Sequence, residues 1–559
     1  MKTFDTVAKL KLAKLKEGQF VETGGHYTKG DAGAARYLIV TPQSFDGYGD
    51  HELANGNVAV LQETGVIDGA KAAGAKGDNT TDDTLALDAF LNAYDSEKRI
   101  PSGKYLVDGG LSWGLNALRL SGDGISTYVK GTNAHTVTVE AGQNDGVIEH
   151  MWIDQLDAGG GLYDAIHLAA GEMHINFVDV DFADRYGIYC GAARTQIHQY
   201  QSQKTDVASI FTFSNAYAIS ISDTFFENVT SSGSGIIQEA QRCVTSNISS
   251  NSIGGYVLDN IGSYNCYANM TAVNSGGGIA DNAYNFTGQF STACGLIAKG
   301  TTGIAFNVTG NNNQLDNIIA DNSTLQGVYL DAQNCNISGR VFNAGVGGSS
   351  NAVDVVDAAN TIDMRVNAFT GSYALNITAN DQTVRGYYQG AVNIASSNNT
   401  FQGKADSLIV AGQSNEISAA LSGGAGVALQ VNSNSNSLSV TVNNAGVSIA
   451  DIASTSNIGT IRGYGSSGDG IIVSGSDNEL SLRVSGSGGD DILVSGSTNN
   501  LSVSASGDVT VSGDQNVITG VIKGNLTFTN TANKNIVFGK VLGTITDNVG
   551  DNDTSNTTT

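Results

Sequence analysis

The chain has 559 residues but only two prolines, Pro42 and Pro101, where a usual frequency of roughly 5% would give about 28. Glycine is abundant at 71 residues, which excludes collagen and Pro/Gly linkers because both need the two residues together. A formal net charge of −25 removes the basic surface that counterion release acts on, so no nucleic-acid partner is expected.

Doubly paired β-strands exclude proline because every backbone N–H is needed in the ladder, while their turns welcome Gly and Asn. The composition therefore predicts a sheet-dominated protein. No apolar run reaches the ~18 residues of a membrane span, so no membrane insertion is expected. The lysine-bearing N-terminus lacks the apolar stretch and cleavage site of an export signal. Cys190, Cys243, Cys266, Cys294 and Cys335 contain no C-x-x-C pair and are expected to be small core residues. The seven histidines show no ligand spacing, so neither a metal nor another cofactor is expected.

In chain order, residues 4–16 place Val7, Leu10, Leu12 and Leu15 among good helix formers and predict a short amphipathic helix, followed by the strand Arg36–Val40. A second helix is predicted over 82–94, with apolar residues at i, i+3 and i+4 and acidic groups at its start. From about residue 100 the chain repeats. Small-then-apolar pairs recur from Ala165-Ile166, Gly187-Ile188, Ser209-Ile210 and Gly235-Ile236 to Gly327-Val328 at intervals of 20 to 26 residues. Farther on, Asn-containing clusters lead into apolar residues from Leu315 to Ile536 in eleven steps averaging 20.1 residues.

That period, with short alternating strands and Gly/Asn/Ser turns, predicts an all-β fold: a right-handed, single-stranded parallel β-helix (a β-solenoid) with three strands per turn. The leucine framework of leucine-rich repeats and the Gly-Gly-x-Gly-x-Asp units of calcium-binding repeats are absent. About 20 coils at ~4.8 Å would make a rod on the order of 100 Å long, its N-terminal edge capped by the helix near residue 83. The organisation expected is a small N-terminal head or neck module over 1–69, a lead-in segment with the capping helix over 70–107, a central β-helix over 108–400, a distal β-helix over 401–545 and a disordered tail over 546–559.

Two segments carry a family resemblance. Phe4-Asp5-Thr6-Val7-Ala8 through Leu15-Lys16-Glu17-Gly18, with Thr23-Gly24-Gly25-His26-Tyr27, Gly30-Asp31-Ala32-Gly33-Ala34-Ala35 and Tyr37-Leu38-Ile39, resembles the module that opens many bacteriophage tailspikes. Gly74-Ala75-Lys76-Gly77-Asp78, Thr81-Asp82-Asp83-Thr84 and Ile100-Pro101-Ser102-Gly103-Lys104-Tyr105-Leu106-Val107 resemble the segment that leads into a pectate-lyase-type β-helix, which polygalacturonases share. The resemblance implies a homotrimeric virion spike, assembled in the host cytoplasm, that binds and cleaves a bacterial surface polysaccharide, capsule or O-antigen. It also implies that the N-terminal module attaches to a phage tail or baseplate protein. The chain departs from the family in lacking a distinct C-terminal β-sandwich or carbohydrate module after the repeats.

Sugar sites need aromatic platforms, carboxylates and polar groups. Residues 151–290 hold 18 aromatics, whereas 402–527 hold only Tyr464, which places the glycan groove in the central coils and leaves the distal coils as a stalk or trimer contact. Asp184 falls 19 residues after Ala165, Asp206 19 after Gly187 and Glu227 18 after Ser209, so the three are expected to stack in one column as catalytic carboxylates. Asp181, Asp223 and Glu239 are held in reserve. Spacings of ~4.8 Å or ~9.6 Å along such a column suit retaining or inverting hydrolysis. Arg185, Arg194 and His198 are expected to hold anionic sugar groups, and Tyr186, Tyr189 and Tyr200 to stack on sugar faces. An endo-glycosidase is the first expectation. A polysaccharide lyase using Arg194, His198 and Tyr200 is the second, and a non-catalytic receptor-binding spike the third.

Overall fold

The computed structural model describes residues 1–45, 49–62, 69–92, 97–113, 119–141, 145–156, 162–169, 172–227, 229, 233–275, 282–346 and 350–558. The chain forms two compact units, Met1–Leu296 and Ile297–Thr559. The first opens on a five-stranded sheet in the order Lys2–Phe4, Phe20–Thr23, Arg36–Val40, Val58–Gln62, His51–Glu52. Val7, Leu10, Leu15, Val21, Tyr37, Ile39, Leu53 and Ala59 make its core. The predicted first helix is shorter than 4–16, spanning Val7–Lys11, because Phe4 is drawn into a parallel ladder opposite Thr23. Thr6 caps it, its Oγ1 accepting from Lys9 N at 3.3 Å.

The second helix spans Thr84–Asn92; Ala93 and Tyr94 of the predicted range lie outside the described residues. The Asp83 carboxylate accepts from the backbone N–H groups of Lys76 (2.7 Å) and Gly77 (2.9 Å), which folds the lead-in against the helix start. Asp88 accepts from Ser112 N at 3.0 Å and Thr84 Oγ1 from Asp108 N at 2.9 Å. The helix therefore satisfies backbone donors of the first coil that have no preceding coil to pair with, which is the work of a cap.

Beyond this cap, both units are right-handed parallel β-helix. In the first unit, long strands His174–Val180, Gln196–Gln203, Ser220–Glu227, Val244–Asn251 and Cys266–Val273 pair in register with one another. Short strands Ile166–Leu168, Tyr186–Cys190, Ala208–Thr212, Ser234–Gln238 and Leu258–Asn260 form a second stack. Each long strand is bent by a left-handed residue, at Phe177, Gln199, Asp223, Asn247 and Asn269 (φ 51° to 55°). The expected three strands per coil are thus one bent long strand and one short strand. Inward positions align like with like, as in Ile166, Ile188, Ile210 and Ile236, all fully buried. Burying such a side chain is worth about 1.5–3 kcal/mol.

In the second unit a turn residue in the left-handed region precedes a buried Asn in coil after coil: Ser435 before Asn436, Ser456 before Asn457, Asp477 before Asn478, Thr498 before Asn499. The backbone N–H of Asn436 donates to Asn457 Oδ1 at 2.9 Å, Asn457 to Asn478 at 2.9 Å and Asn478 to Asn499 at 2.9 Å. Each Nδ2 donates to the same oxygen at 3.0 to 3.2 Å. The ladder continues from Asn535 to Asn552 (3.0 Å), and Asp553–Thr558 then pairs with Ile536–Val541. The segment expected as a disordered tail therefore carries the strand Asp553–Thr558, because Asn552 before it occupies a ladder position that sets its register.

Cys190, Cys243 and Cys335 are core residues, and burial pushes the Cys243 thiol up to about 12. Cys266 and Cys294 are exposed, contrary to expectation, because each occupies an outward position in a strand of alternating burial. Replacing Asn457 by Ala leaves the buried Asn436 N–H without its acceptor, a loss of about 1–3 kcal/mol. A urea midpoint lower than wild type is expected, against a change within about 0.5 kcal/mol for the exposed Ser481→Ala.

Candidate functional site

Past the left-handed bend of each long strand in the first unit, alternation sends two side chains per coil to the outer side. In successive coils these are Trp152 and Asp154, Asp179 and Asp181, Gln201 and Gln203, then Phe225 and Glu227. Asp154 is buried beneath its neighbours: Oδ1 accepts from Trp152 Nε1 (3.0 Å), Asp181 N (2.8 Å) and Phe182 N (3.1 Å), and Oδ2 from Tyr128 OH (3.0 Å). Burial raises its pKa despite these four donors. Asp179 is half-buried, and burial followed by repulsion from Asp181 raises its pKa. Burial raises Asp181 too, with the charge of Lys204 opposing the shift. Lys204 sits 4.7 Å above the Phe182 ring. The result is an acidic strip bordered by Tyr128, Trp152 and Phe225, in which the three carboxyls of Asp154, Asp179 and Asp181 are all shifted upward.

The adjoining turn carries Asp184 and Asp206, which the Ala183–Thr205 bridge aligns one coil apart. Beyond the turn, the outer column of the short strands stacks His167 on Tyr189 (centroids 4.4 Å, parallel) and Tyr189 beside Phe211 (5.6 Å). Arg185 lies 4.5 Å above the Tyr186 ring and 5.7 Å from that of Tyr189. Behind them Asp164 is buried. Its Oδ2 lies 2.8 Å from His167 Nδ1 and accepts its hydrogen bond in the Nδ1–H tautomer, while its Oδ1 faces Arg185 Nε at 4.0 Å. This leaves His167 Nε2 as the free face of a carboxylate-oriented imidazole. His135 completes the group, stacked 4.4 Å from His167. Burial lowers the His135 pKa, and its Nδ1 accepts the Asp164 N–H at 2.9 Å.

His135, Asp164 and His167 present ligand atoms within 4.8 Å of one another, a grouping that spacing in the sequence does not announce. The Nδ1 lone pair of His135 is already committed to the Asp164 N–H, so these residues fit a hydrogen-bonded relay better than a metal.

The structure thus brings Arg185, Tyr186 and Tyr189 together and stacks Asp184 with Asp206; Tyr186, however, is buried against Ala208 and Phe211 and corrects the expectation that it stacks on a sugar. Glu227 does not join that pair. It lies opposite Gln203 at the end of a long strand, in the column of Asp181. Tyr200 is a correction: it points inward, is 1% exposed and donates to Ser209 O, so it offers no stacking face. Arg194 is ion-paired with Glu172 in a turn column, which also holds its charge. His198 lies at the bend, with Nδ1 2.9 Å from Ser222 Oγ and 3.1 Å from Asp223 Oδ2. The trio Arg194, His198 and Tyr200 is therefore not assembled. Glu239 follows a short strand, and its charge adds to the burial that raises Asp259. Trp152, Asp154 and Asp179 were legible as the i, i+2 outward pairs Trp152/Asp154 and Asp179/Asp181.

These features define the chain as a right-handed parallel β-helix protein with an acidic, aromatic outer strip. No protein-family model matches the sequence, and no curated protein matches it. Among solved structures, the pre-mature gene product 12 of bacteriophage phi29 is similar at 14% identity and a TM-score of 0.51, over 86% of this chain and 72% of that one. The enzymatically active domain of tailspike protein 2 from bacteriophage CBA120 is similar at 11% identity and a TM-score of 0.42, over 69% of this chain. The full-length tailspike protein 2 gives the same identity and score. The chain spans 57% and 51% of those two proteins. At these identities the likeness is one of fold.

The raised carboxyls carry a stability consequence. Above the ordinary carboxylate range the folded state holds Asp179 and Asp181 at a cost in ionisation, so their contribution falls as pH rises through the folded pKa. Asp179→Asn is expected to raise the urea midpoint near pH 7 and to lose that advantage near about pH 3, where both states are protonated.

Proposed function

We propose that the chain is a homotrimeric phage tailspike that binds a bacterial surface polysaccharide, capsule or O-antigen, and cleaves it by endo-glycosidic hydrolysis, its N-terminal module attaching it to the tail or baseplate. The observation that carries this reading is the half-buried pair Asp179 and Asp181, both raised by burial, on an aromatic-bordered strand face with Glu227 in the same column. A general acid must hold its proton near neutral pH, and burial supplies that. Asp181 acts as the acid toward the leaving oxygen, and Glu227 as the base that activates water. Two coils separate their backbones by about 9.6 Å, close to the upper end of the range of about 6.5–9.5 Å that inverting hydrolysis uses. Trp152 and Phe225 offer sugar platforms, and Gln201 and Gln203 on the coil between them offer hydrogen bonds. Asp184 and Asp206 form a second carboxylate pair on the adjoining turn. The tailspike-like motifs at residues 4–39 and the fold shared with a bacteriophage gene product support the virion setting.

A second reading, a polysaccharide lyase acting on a uronic-acid glycan, is favoured by the Asp164-oriented His167 beside Arg185. There His167 Nε2 takes the proton next to the sugar carboxylate and Arg185 neutralises that carboxylate.

Incubation with purified capsule and O-antigen preparations separates these readings. Hydrolysis yields new reducing ends with no near-ultraviolet absorbance, and Asp181→Asn or Glu227→Gln lowers kcat about 10²-fold or more. Asp223→Asn, at the exposed bend, leaves it near wild type. An unsaturated, absorbing product that His167→Gln abolishes would replace hydrolysis by elimination. Retention of glycan with no product would remove both.

A further inference from the structure

The unit Ile297–Thr559 carries ten lysines and arginines against twenty aspartates and glutamates, so its field is acidic. Six of the ten cations nevertheless share one outward register column. Arg340 pairs with Arg365, which reaches Lys404 through Tyr387. Ala420 and Thr441 follow, then Arg462 pairs with Arg483, and Lys540 stands three coils on. All six are exposed, and among the described residues none forms an ion pair. A stack of like charges at ~4.8 Å or a small multiple of it is unfavourable by itself, and an anion lying along it removes that cost.

The column also borders an open depression of about 700 Å³, lined by Arg365, Tyr387, Lys404, Ala420 and Thr441. Its floor is made by glycines. Gly386 and Gly403 occupy the register position that Met364 fills before them and Ala419, then Val440, after them. A Cβ on Gly386 would lie 1.9 Å from Met364 O, and one on Gly403 2.6 Å from Gly386 O, so the close approach of the coils leaves no room for a side chain at either position. Tyr387 presents a ring at its edge, 5.5 Å from the Arg365 guanidinium.

We propose that this column binds a linear anionic polysaccharide, bearing carboxylates or acidic esters, on residues other than those of the proposed hydrolysis. Six cations over about 50 Å suit a polymer with widely spaced charges. The three-coil interval of ~14 Å between Lys404 and Arg462, lined by Ala420 and Thr441, accepts neutral sugar rings. A nucleic acid fits poorly, since its dense charge meets twenty carboxylates and the column offers one aromatic platform. The inference shares a ligand class with the proposed function and needs no cleavage.

The test uses the full chain with polygalacturonate, dextran sulfate, neutral dextran and oligothymidylate as probes, at low and high salt. Binding of one or both acidic polymers, weakened by salt, is expected, with no comparable binding of neutral dextran. A preference for polygalacturonate assigns carboxylates and one for dextran sulfate assigns acidic esters; either supports the proposal. Arg365→Ala with Lys404→Ala, and separately Arg462→Ala with Arg483→Ala, are each expected to weaken binding about tenfold or more while keeping the wild-type urea midpoint. Unchanged binding in both double variants, equal binding of neutral dextran, or tighter binding of oligothymidylate overturns it. So does a change of oligomeric state with glycan binding intact, which would make the column a contact between copies. A chain that binds these acidic polymers yet releases no reducing ends from purified capsule and O-antigen leaves this proposal standing and removes the hydrolytic one.

Discussion

Each coil of this protein hands its backbone hydrogen-bonding groups to the coil before and the coil after it, and almost everything else follows from keeping that pairing unbroken. An extended chain can turn a corner and stay in register only if one residue adopts a left-handed conformation and the groups freed at the corner are bonded again. In the second unit Asn does the second job. Buried Asn457 accepts the backbone N–H of Asn436 and passes its own to Asn478, so the turn is satisfied by side chains where strands stop. Proline lacks the donor that this arrangement uses; Pro42 accordingly precedes the coils, and Pro101 sits in a turn of the first one, between the strands Lys98–Arg99 and Gly103–Val107.

Stacking in register also governs the chemistry. A side chain that points outward in one coil has a neighbour of the same orientation ~4.8 Å away in the next, so the surface is organised as columns. In the first unit a column collects Asp154, Asp181, Gln203 and Glu227; partial burial raises the carboxyls of Asp179 and Asp181, and repulsion from Asp181 adds to the shift of Asp179. In the second unit another column collects arginines and lysines above a floor that glycine keeps low. The same geometry produces a column of carboxyls in one place and a column of cations in another, according to which residues the repeat delivers.

The solenoid, its period and its helical cap were legible because periodic burial writes itself into the sequence: Ile166, Ile188, Ile210 and Ile236 mark one inner column directly. The alignment of Asp184 with Asp206 was legible for the same reason. Glu227 was displaced from that pair because the turn between Thr212 and Ser220 is two residues longer than that between Cys190 and Gln196, and counting from the preceding marker cannot say where extra residues are absorbed. Tyr200 was misjudged for want of local phase: two residues either side of a left-handed bend do not follow simple alternation, and Gln199 is such a bend. His135, Asp164 and His167 converge from a turn, a strand approach and a strand, with no shared spacing.

Composition and period by themselves determined that this chain is a parallel β-helix, since proline exclusion and a repeat of about 20 residues are both demanded by a stacked ladder and by little else. Which side chains share a column, and therefore which carboxyls perturb one another and which cations line a groove, was decided only by tertiary structure. Neighbours in a column are a full coil apart along the chain, and coil length varies; an ångström-scale proximity that depends on register is set by how each turn closes, not by the count of residues between.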